Sequence, residues 1–170
     1  VEELTVMIGN KMQEAMNRQI NEELFSAYLY LSMAAWAQKS NLPGAAAWMR
    51  KQSEEEMGHA MKFFSHISER GGEIELLPIE GPQKDWADVL EVFEAALEHE
   101  QHISACINDL YGLAAEEKDF ASQVFLQWFI EEQVEEESSV DEVVQKLRMV
   151  SGSKNGIFMV DRELGKREND

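Results

Sequence analysis

The run Trp48-Met49-Arg50-Lys51-Gln52-Ser53-Glu54-Glu55-Glu56-Met57-Gly58-His59-Ala60-Met61-Lys62-Phe63-Phe64-Ser65-His66-Ile67 has the apolar spacing of one helix face, broken in the middle. Trp48, Met49, Gln52, Glu56, His59, Phe63 and Ile67 fall three or four residues apart, so one stripe of a helix carries them all. A carboxylate and an imidazole sit where the stripe should be most apolar. The same pattern recurs in three other stretches. One face reads Ile20, Glu23, Leu24, Ala27, Tyr30, Leu31, Ala34. Another reads Phe93, Leu97, Glu100, Ile103, Ile107, Leu110, and a third reads Phe125, Phe129, Gln133, Glu136, Val140, Val143, Leu147. Each stripe is interrupted by a glutamate, and each interruption falls near the middle of its helix.

The punctuation around these stripes sets the architecture. Turn-forming residues cluster at Pro43-Gly44, Gly71-Gly72, Pro78 with Gly81-Pro82, and Gly152 with Gly156. Between them lie stretches of good helix formers. They predict helices at about 5–39, 43–71, 85–115 and 119–150, with a short fifth at about 157–167. Asp85 and Asp119 read as N-caps of the third and fourth. No strand-like alternation appears at useful length. The expected fold is all-α, a four-helix bundle at about 5–150, in one domain spanning 1–170. Short links make the first and second helices antiparallel neighbours, and likewise the third and fourth. The segment 72–84 is long enough to cross the bundle lengthwise.

Helices of similar length bring their midpoints to one level, so Glu23, Glu56, Glu100 and Glu136 should converge, with His59, Gln133 and Tyr30 within a turn. Four buried carboxylates cannot all stay ionised without a counter-charge, at a cost of several kcal/mol. Few Lys or Arg residues share these faces, so no internal partner suggests itself. A pair of metal ions resolves the conflict, and oxygen ligands with one imidazole suit iron or manganese. Glu56-x-x-His59 places two ligands on one face. Taken singly, each residue has an ordinary reading as a solvated face or a satisfied core group. The coincidence of four interruptions at one level carries the metal reading.

Composition narrows the partners. A net charge of −18 argues against nucleic acid and against an anionic membrane surface. No apolar run approaches a membrane span, and no signal-peptide pattern opens the chain, so the cytoplasm is expected. The single Cys106 cannot form an internal disulfide or a cysteine-cluster zinc site.

The chain resembles bacterial and archaeal non-heme ferritins over essentially its full length. The resemblance rests on Asn21-Glu22-Glu23-Leu24 with Tyr28-Leu29-Tyr30, Gly44-Ala45-Ala46-Ala47-Trp48, and Glu55-Glu56-Met57-Gly58-His59-Ala60. It continues through His99-Glu100-Gln101, Phe125-Leu126-Gln127-Trp128-Phe129, Glu132-Gln133, Glu135-Glu136-Glu137 and the tail Phe158-Met159-Val160-Asp161-Arg162-Glu163-Leu164. It implies a ferritin-like bundle and a ferroxidase that oxidises Fe(II) to Fe(III) with O₂ or peroxide and stores the product inside a 24-subunit homo-oligomeric shell. By this resemblance the first iron position takes Glu23, Glu56 and His59. The second takes Glu56 as bridge, Glu100 and Glu136, with Gln133 nearby. A third takes Glu55, Glu132, Glu135 and Glu136, and Tyr30 stands beside the centre. Bacterioferritins repeat Glu-x-x-His in the fourth helix, where this chain reads Gln133-Val134-Glu135-Glu136. Met57 stands where their heme-ligating methionine stands, so a heme-containing bacterioferritin is the alternative, and a metal-free acidic helical module is a more distant one.

Overall fold

The computed structural model describes residues 7–167. Five helices follow in order: α1 Asn10–Lys39, α2 Pro43–Glu69, α3 Val89–Glu116, α4 Phe120–Met149 and α5 Lys154–Leu164. No strand occurs among the described residues. None of their helices is long and apolar enough to cross a membrane.

The pairing of side chains gives each helix a direction. Between α1 and α3, Tyr30 meets Glu100, Glu22 meets His102 and Lys11 meets Glu117, so one number falls as the other rises. Between α2 and α4, Gln52 meets Glu136 and Arg70 meets Asp119, again in opposite order. The hairpins α1–α2 and α3–α4 therefore pack as an up-down-down-up bundle, which requires one long crossover. That crossover runs outside the helices along α1. Asn17 donates to the Glu73 carbonyl at 2.9 Å, Asn21 to that of Pro78 at 3.0 Å, Ser32 to that of Gln83 at 2.7 Å and Trp36 to that of Trp86 at 3.2 Å. From Asn17 to Trp36 the helix advances about 29 Å, at about 1.5 Å per residue. The side chains of α1 thus satisfy backbone carbonyls that would otherwise have no secondary-structure partner.

Several boundaries differ from the sequence reading. The first helix begins at Asn10 rather than near 5, with Gly9 as its cap, and positions 5 and 6 lie outside the described residues. The cap of α3 is Asp88, not Asp85. Asp88 accepts from Glu91 N at 2.9 Å while the Glu91 carboxylate accepts from Ala87 N, one residue before the cap, so the two acidic side chains hold backbone donors on either side of the helix start. Trp86 explains the delay: it is buried edge-on against Trp36, which holds the chain extended through that point. Asp119 does cap α4, accepting from Ser122 N. The fifth helix starts at Lys154, earlier than expected, because the Ser153 hydroxyl accepts from Gly156 N and makes that glycine part of the first turn. On α1, Leu31 is half exposed and Leu24 only partly buried, whereas Leu29 and Met33 are buried. The buried arc of α1 is turned away from the expected stripe by less than one residue's rotation.

The apolar core forms two separate clusters. One gathers Tyr30, Met33, Trp48, Met49, Phe93, Val140 and Val144, with Val160 and Leu164 of α5. The other gathers Met16, Ile20, Phe63, Ile67, Ile103, Ile107, Leu126 and Phe129. Between them lies a layer of buried polar side chains: Glu23, Ser26, Gln52, Glu56, His59, Glu100, Gln133 and Glu136. Helix α5 closes one end. Its buried Asp161 accepts from Gly44 N at 3.1 Å and Ala45 N at 2.8 Å, capping α2 from another element. The approach is so close that a Cβ on Gly44 would lie 1.7 Å from the Asp161 carbonyl oxygen.

Candidate metal centre

The polar layer contains four carboxylates on four different helices, so no one helix turn brings them together. Glu23 comes from α1, Glu56 and His59 from α2, Glu100 from α3, and Gln133 and Glu136 from α4. All six are buried. Donor atoms of Glu23, Glu56 and His59 lie within 4.8 Å of one another, and so do those of Glu56, Glu100 and Glu136. Glu56 belongs to both groups and stands between them.

Neutral donors hold the carboxylates in place. Gln19 donates to Glu23 Oε1 at 3.0 Å. Gln52 donates to Glu56 Oε1 at 3.1 Å and to Glu136 Oε2 at 2.6 Å. Gln133 donates to Glu100 Oε2 at 3.2 Å, and the Tyr30 hydroxyl donates to Glu100 Oε1. His59 Nδ1 lies 3.1 Å from Glu56 Oε2 and 3.8 Å from Glu23 Oε2. Glu23 Oε2 is buried with no hydrogen-bond partner. An orphaned carboxylate oxygen facing an imidazole and a second carboxylate calls for a cation.

Protonation follows from this crowding. Burial, then the Glu23 charge, pushes Glu56 up to about 7 against the hydrogen bond and charge of His59. Burial and the Glu56 charge push Glu100 up to about 8, against hydrogen bonds from Tyr30 and Gln133. Burial with Glu100 and Glu56 pushes Glu136 up to about 9. For His59, burial works downward, but hydrogen bonds to Glu23 and Glu56 and their charges outweigh it and raise it to about 11. Burial and the nearby carboxylates also raise Tyr30 well above its ordinary value. Without metal, protons and the His59 imidazolium supply the missing positive charge. The donors are carboxylate oxygens and one imidazole nitrogen, with no thiol, a set that fits Fe(II) and the harder Fe(III).

A hollow beside the layer holds the remaining expected residues. Glu132 Oε1 lies 4.0 Å from His59 Nε2, and Glu132, Glu136 and His59 bring donor atoms within 4.8 Å. Glu55 and Glu135 line the same hollow but stand outside that group. Glu55 is held by Arg167, whose guanidinium donates to it at 2.8 Å and to Gln52 Oε1 at 3.0 Å while lying over the Trp48 ring. Arg167 thus brings a cation to the rim from beyond α5, and Lys62 of α2, lying over the Trp128 ring, lines the same hollow. Gln19, Gln52 and Arg167 were not among the expected site residues. The two glutamines carried a signal, since each stands four residues before a buried glutamate on the same face. Arg167 carried none.

A bundle of this connectivity with a buried layer of glutamates and one histidine defines the class of carboxylate-lined four-helix proteins. Residues 13–150 match the Ferritin-like domain family. The bacterial non-heme ferritin of Bacteroides fragilis (strain 638R) is 44% identical over 161 residues, covering 95% of this chain and all of that one. That of Staphylococcus aureus (strain USA300) is 34% identical over 164 residues, covering 96% and 99%. Among solved structures, an open pore ferritin from the archaeon Archaeoglobus fulgidus superposes with a TM-score of 0.94 at 47% identity, covering 95% and 99%. The chain belongs to the ferritin family and groups with its non-heme members. These relatives lend no support to the heme-containing alternative, and Met57 is half exposed on α2.

Proposed function

We propose that this chain is an iron-storing ferroxidase whose residues 1–170 form a single ferritin-like domain. The observation that carries the reading is the pair of buried donor groups, Glu23/Glu56/His59 and Glu56/Glu100/Glu136, sharing Glu56. Fe(II) is the substrate. One ion takes Glu23, Glu56 and His59, and the other takes Glu56, Glu100 and Glu136, with Gln133 and Tyr30 orienting Glu100. Each ferrous ion gives up one electron. With dioxygen as oxidant, two electrons and two protons yield hydrogen peroxide and leave two ferric ions; with peroxide, two electrons and two protons yield two waters. Two irons side by side supply both electrons together. The carboxylates favour the harder ferric product, which makes oxidation more favourable.

Protons leaving Glu56, Glu100, Glu136 and His59 on iron binding must escape the layer. The hollow lined by Glu132, Glu135 and Glu136 offers the exit and a third iron position. There Glu132 and Glu136 face His59, and Glu55 joins once Arg167 releases it.

Further features support a shell. Tyr28 and Leu31 on α1, Met57 and Met61 on α2, and Met149, Phe158 and Met159 at the other end are large apolar side chains left exposed by the single chain. A homo-oligomer of 24 subunits would cover them, and ferric product would collect in its cavity. The net charge of −18 favours cation uptake, and the cytoplasm supplies the Fe(II).

The test is anaerobic Fe(II) titration of the apoprotein, then exposure to air, with size exclusion alongside. Saturation near two to three Fe(II) per chain is expected, roughly one per donor group. Rapid oxidation in an assembled particle should follow. The double substitution Glu56→Ala with His59→Ala should abolish rapid oxidation and leave assembly intact. Wild-type rates in that variant would overturn the site assignment.

A further inference from the structure

His102 and Cys106 lie one turn apart on α3, so both side chains emerge on one side of the helix. Glu22 faces them from α1 across the groove between the two helices. His102 Nε2 is 3.1 Å from Glu22 Oε2 and 3.6 Å from Cys106 Sγ, and all three donor atoms lie within 4.8 Å of one another. These spacings can be compared with the edges of a zinc tetrahedron. Bonds of about 2.3 Å to sulfur, 2.0 Å to nitrogen and 2.0–2.2 Å to oxygen give edges of about 3.6 Å for S···N and 3.3 Å for N···O. The side chains already stand at nearly those separations, with one imidazole nitrogen between a carboxylate and a thiol.

We propose that Glu22, His102 and Cys106 form a second cation site, on the outside of the bundle, that takes a borderline-soft divalent ion such as Zn(II) or Co(II). It shares no residue with the buried layer and differs from it in chemistry. A sulfur and a nitrogen donor with a single carboxylate favour zinc-like ions over the hard ferric ion that the oxygen-rich core suits. His102 is exposed and Cys106 and Glu22 are partly so, which gives an ion direct access and leaves a fourth position for water. The adjoining hollow contains Asp109, a second carboxylate, as well as Arg18 and Gln19. Burial together with Glu22, Asp109 and Glu23 pushes the Cys106 thiol up to about 11. The same negative surroundings favour a bound cation, which would lower that value as the sulfur–metal bond forms and the thiol proton passes to solvent.

Co(II) tests this, because only thiolate ligation gives a sulfur-to-cobalt charge-transfer band in the near ultraviolet and the buried layer has no sulfur. The intact assembled protein should develop the band to one equivalent per chain, with the intense visible absorption of a tetrahedral ion. Cys106→Ser should lose the band entirely while oxidising Fe(II) at the wild-type rate. His102→Ala should weaken binding by about tenfold or more. The Glu56→Ala, His59→Ala protein should keep the band. Zn(II) should displace the cobalt and slow alkylation of Cys106. Absence of the band in wild type up to saturation of all sites would overturn the proposal. So would an unchanged affinity in His102→Ala, which would mean a thiol acting alone.

Discussion

Iron binding to this core must expel protons, and the number follows from the site. Glu56, Glu100 and Glu136 titrate as one interacting set, raised to about 7, about 8 and about 9, so at pH 7 they hold roughly two protons among them. His59, raised to about 11, carries a full positive charge and must become neutral before its nitrogen can ligate. Filling both positions therefore releases about three protons per chain at pH 7, rising towards four at pH 6. Each proton released makes binding tenfold tighter per pH unit, so the joint affinity for two Fe(II) should rise by about three orders of magnitude or more from pH 6 to 7. The assay is anaerobic Fe(II) titration in weakly buffered solution with an indicator dye, repeated at both pH values. The Glu56→Ala, His59→Ala protein provides the blank for ions held elsewhere. Release of less than about one proton per chain, or equal affinity at the two pH values, would refute the argument that protons and imidazolium hold the place of metal.

The same shifts predict how the metal-free protein responds to pH. The three raised carboxyls stabilise the fold fully below about 4.5, and that contribution is lost as pH rises through about 7 to 9; His59 contributes fully below about 6.5 and loses it towards 11. Thermal melts should therefore show the apoprotein weakening from pH 6 to 9, and divalent cations should restore most at the alkaline end. Arg167→Ala frees Glu55, so titration should reveal tighter binding of an additional Fe(II), by about three- to tenfold given the partial exposure of the pair. Asp161→Ala removes the acceptor for two buried N–H groups at the start of α2 and should cost about 2 kcal/mol in the docking of α5. Limited proteolysis between α4 and α5 would report it as accelerated cleavage.

The bundle and its polar layer were legible because both rest on periodicity. A helix presents every third or fourth residue to its neighbours, so a glutamate inside each apolar stripe had to arrive in the core. What periodicity does not encode was misplaced. Asp85 and Asp88 are equally good caps by residue type, and the choice fell to Trp86, whose burial against Trp36 is a contact across 50 residues. Leu31 counts as apolar in any stripe, yet a single chain leaves it half exposed. Asp161 and Arg167 act on α2 from more than 110 positions away, through an aspartate cap and a guanidinium that no local pattern announces.

Gln19 and Gln52 hold the buried carboxylates in place without adding a charge that would oppose a cation. Buried carboxylates need donors, and an arginine or lysine in the layer would satisfy them most strongly. Such a charge would also neutralise the site and compete with every incoming cation. Here the donors within the layer are amides and a phenol: Gln19 on Glu23, Gln52 on Glu56 and Glu136, Gln133 and Tyr30 on Glu100. The positive charge inside is the His59 imidazolium, which becomes a ligand by giving up a proton. Fixed charge stays at the rim, where Arg167 donates to Glu55 and to Gln52 Oε1 while Glu23, Glu56, Glu100 and Glu136 take their hydrogen bonds from neutral donors and His59. Replacing Gln52 by Lys should therefore keep a donor to Glu56 and Glu136 while losing the acceptor for Arg167, and should abolish binding of Fe(II) between Glu56 and Glu136. Undiminished Fe(II) stoichiometry in that variant would show that neutrality of the donors does not matter.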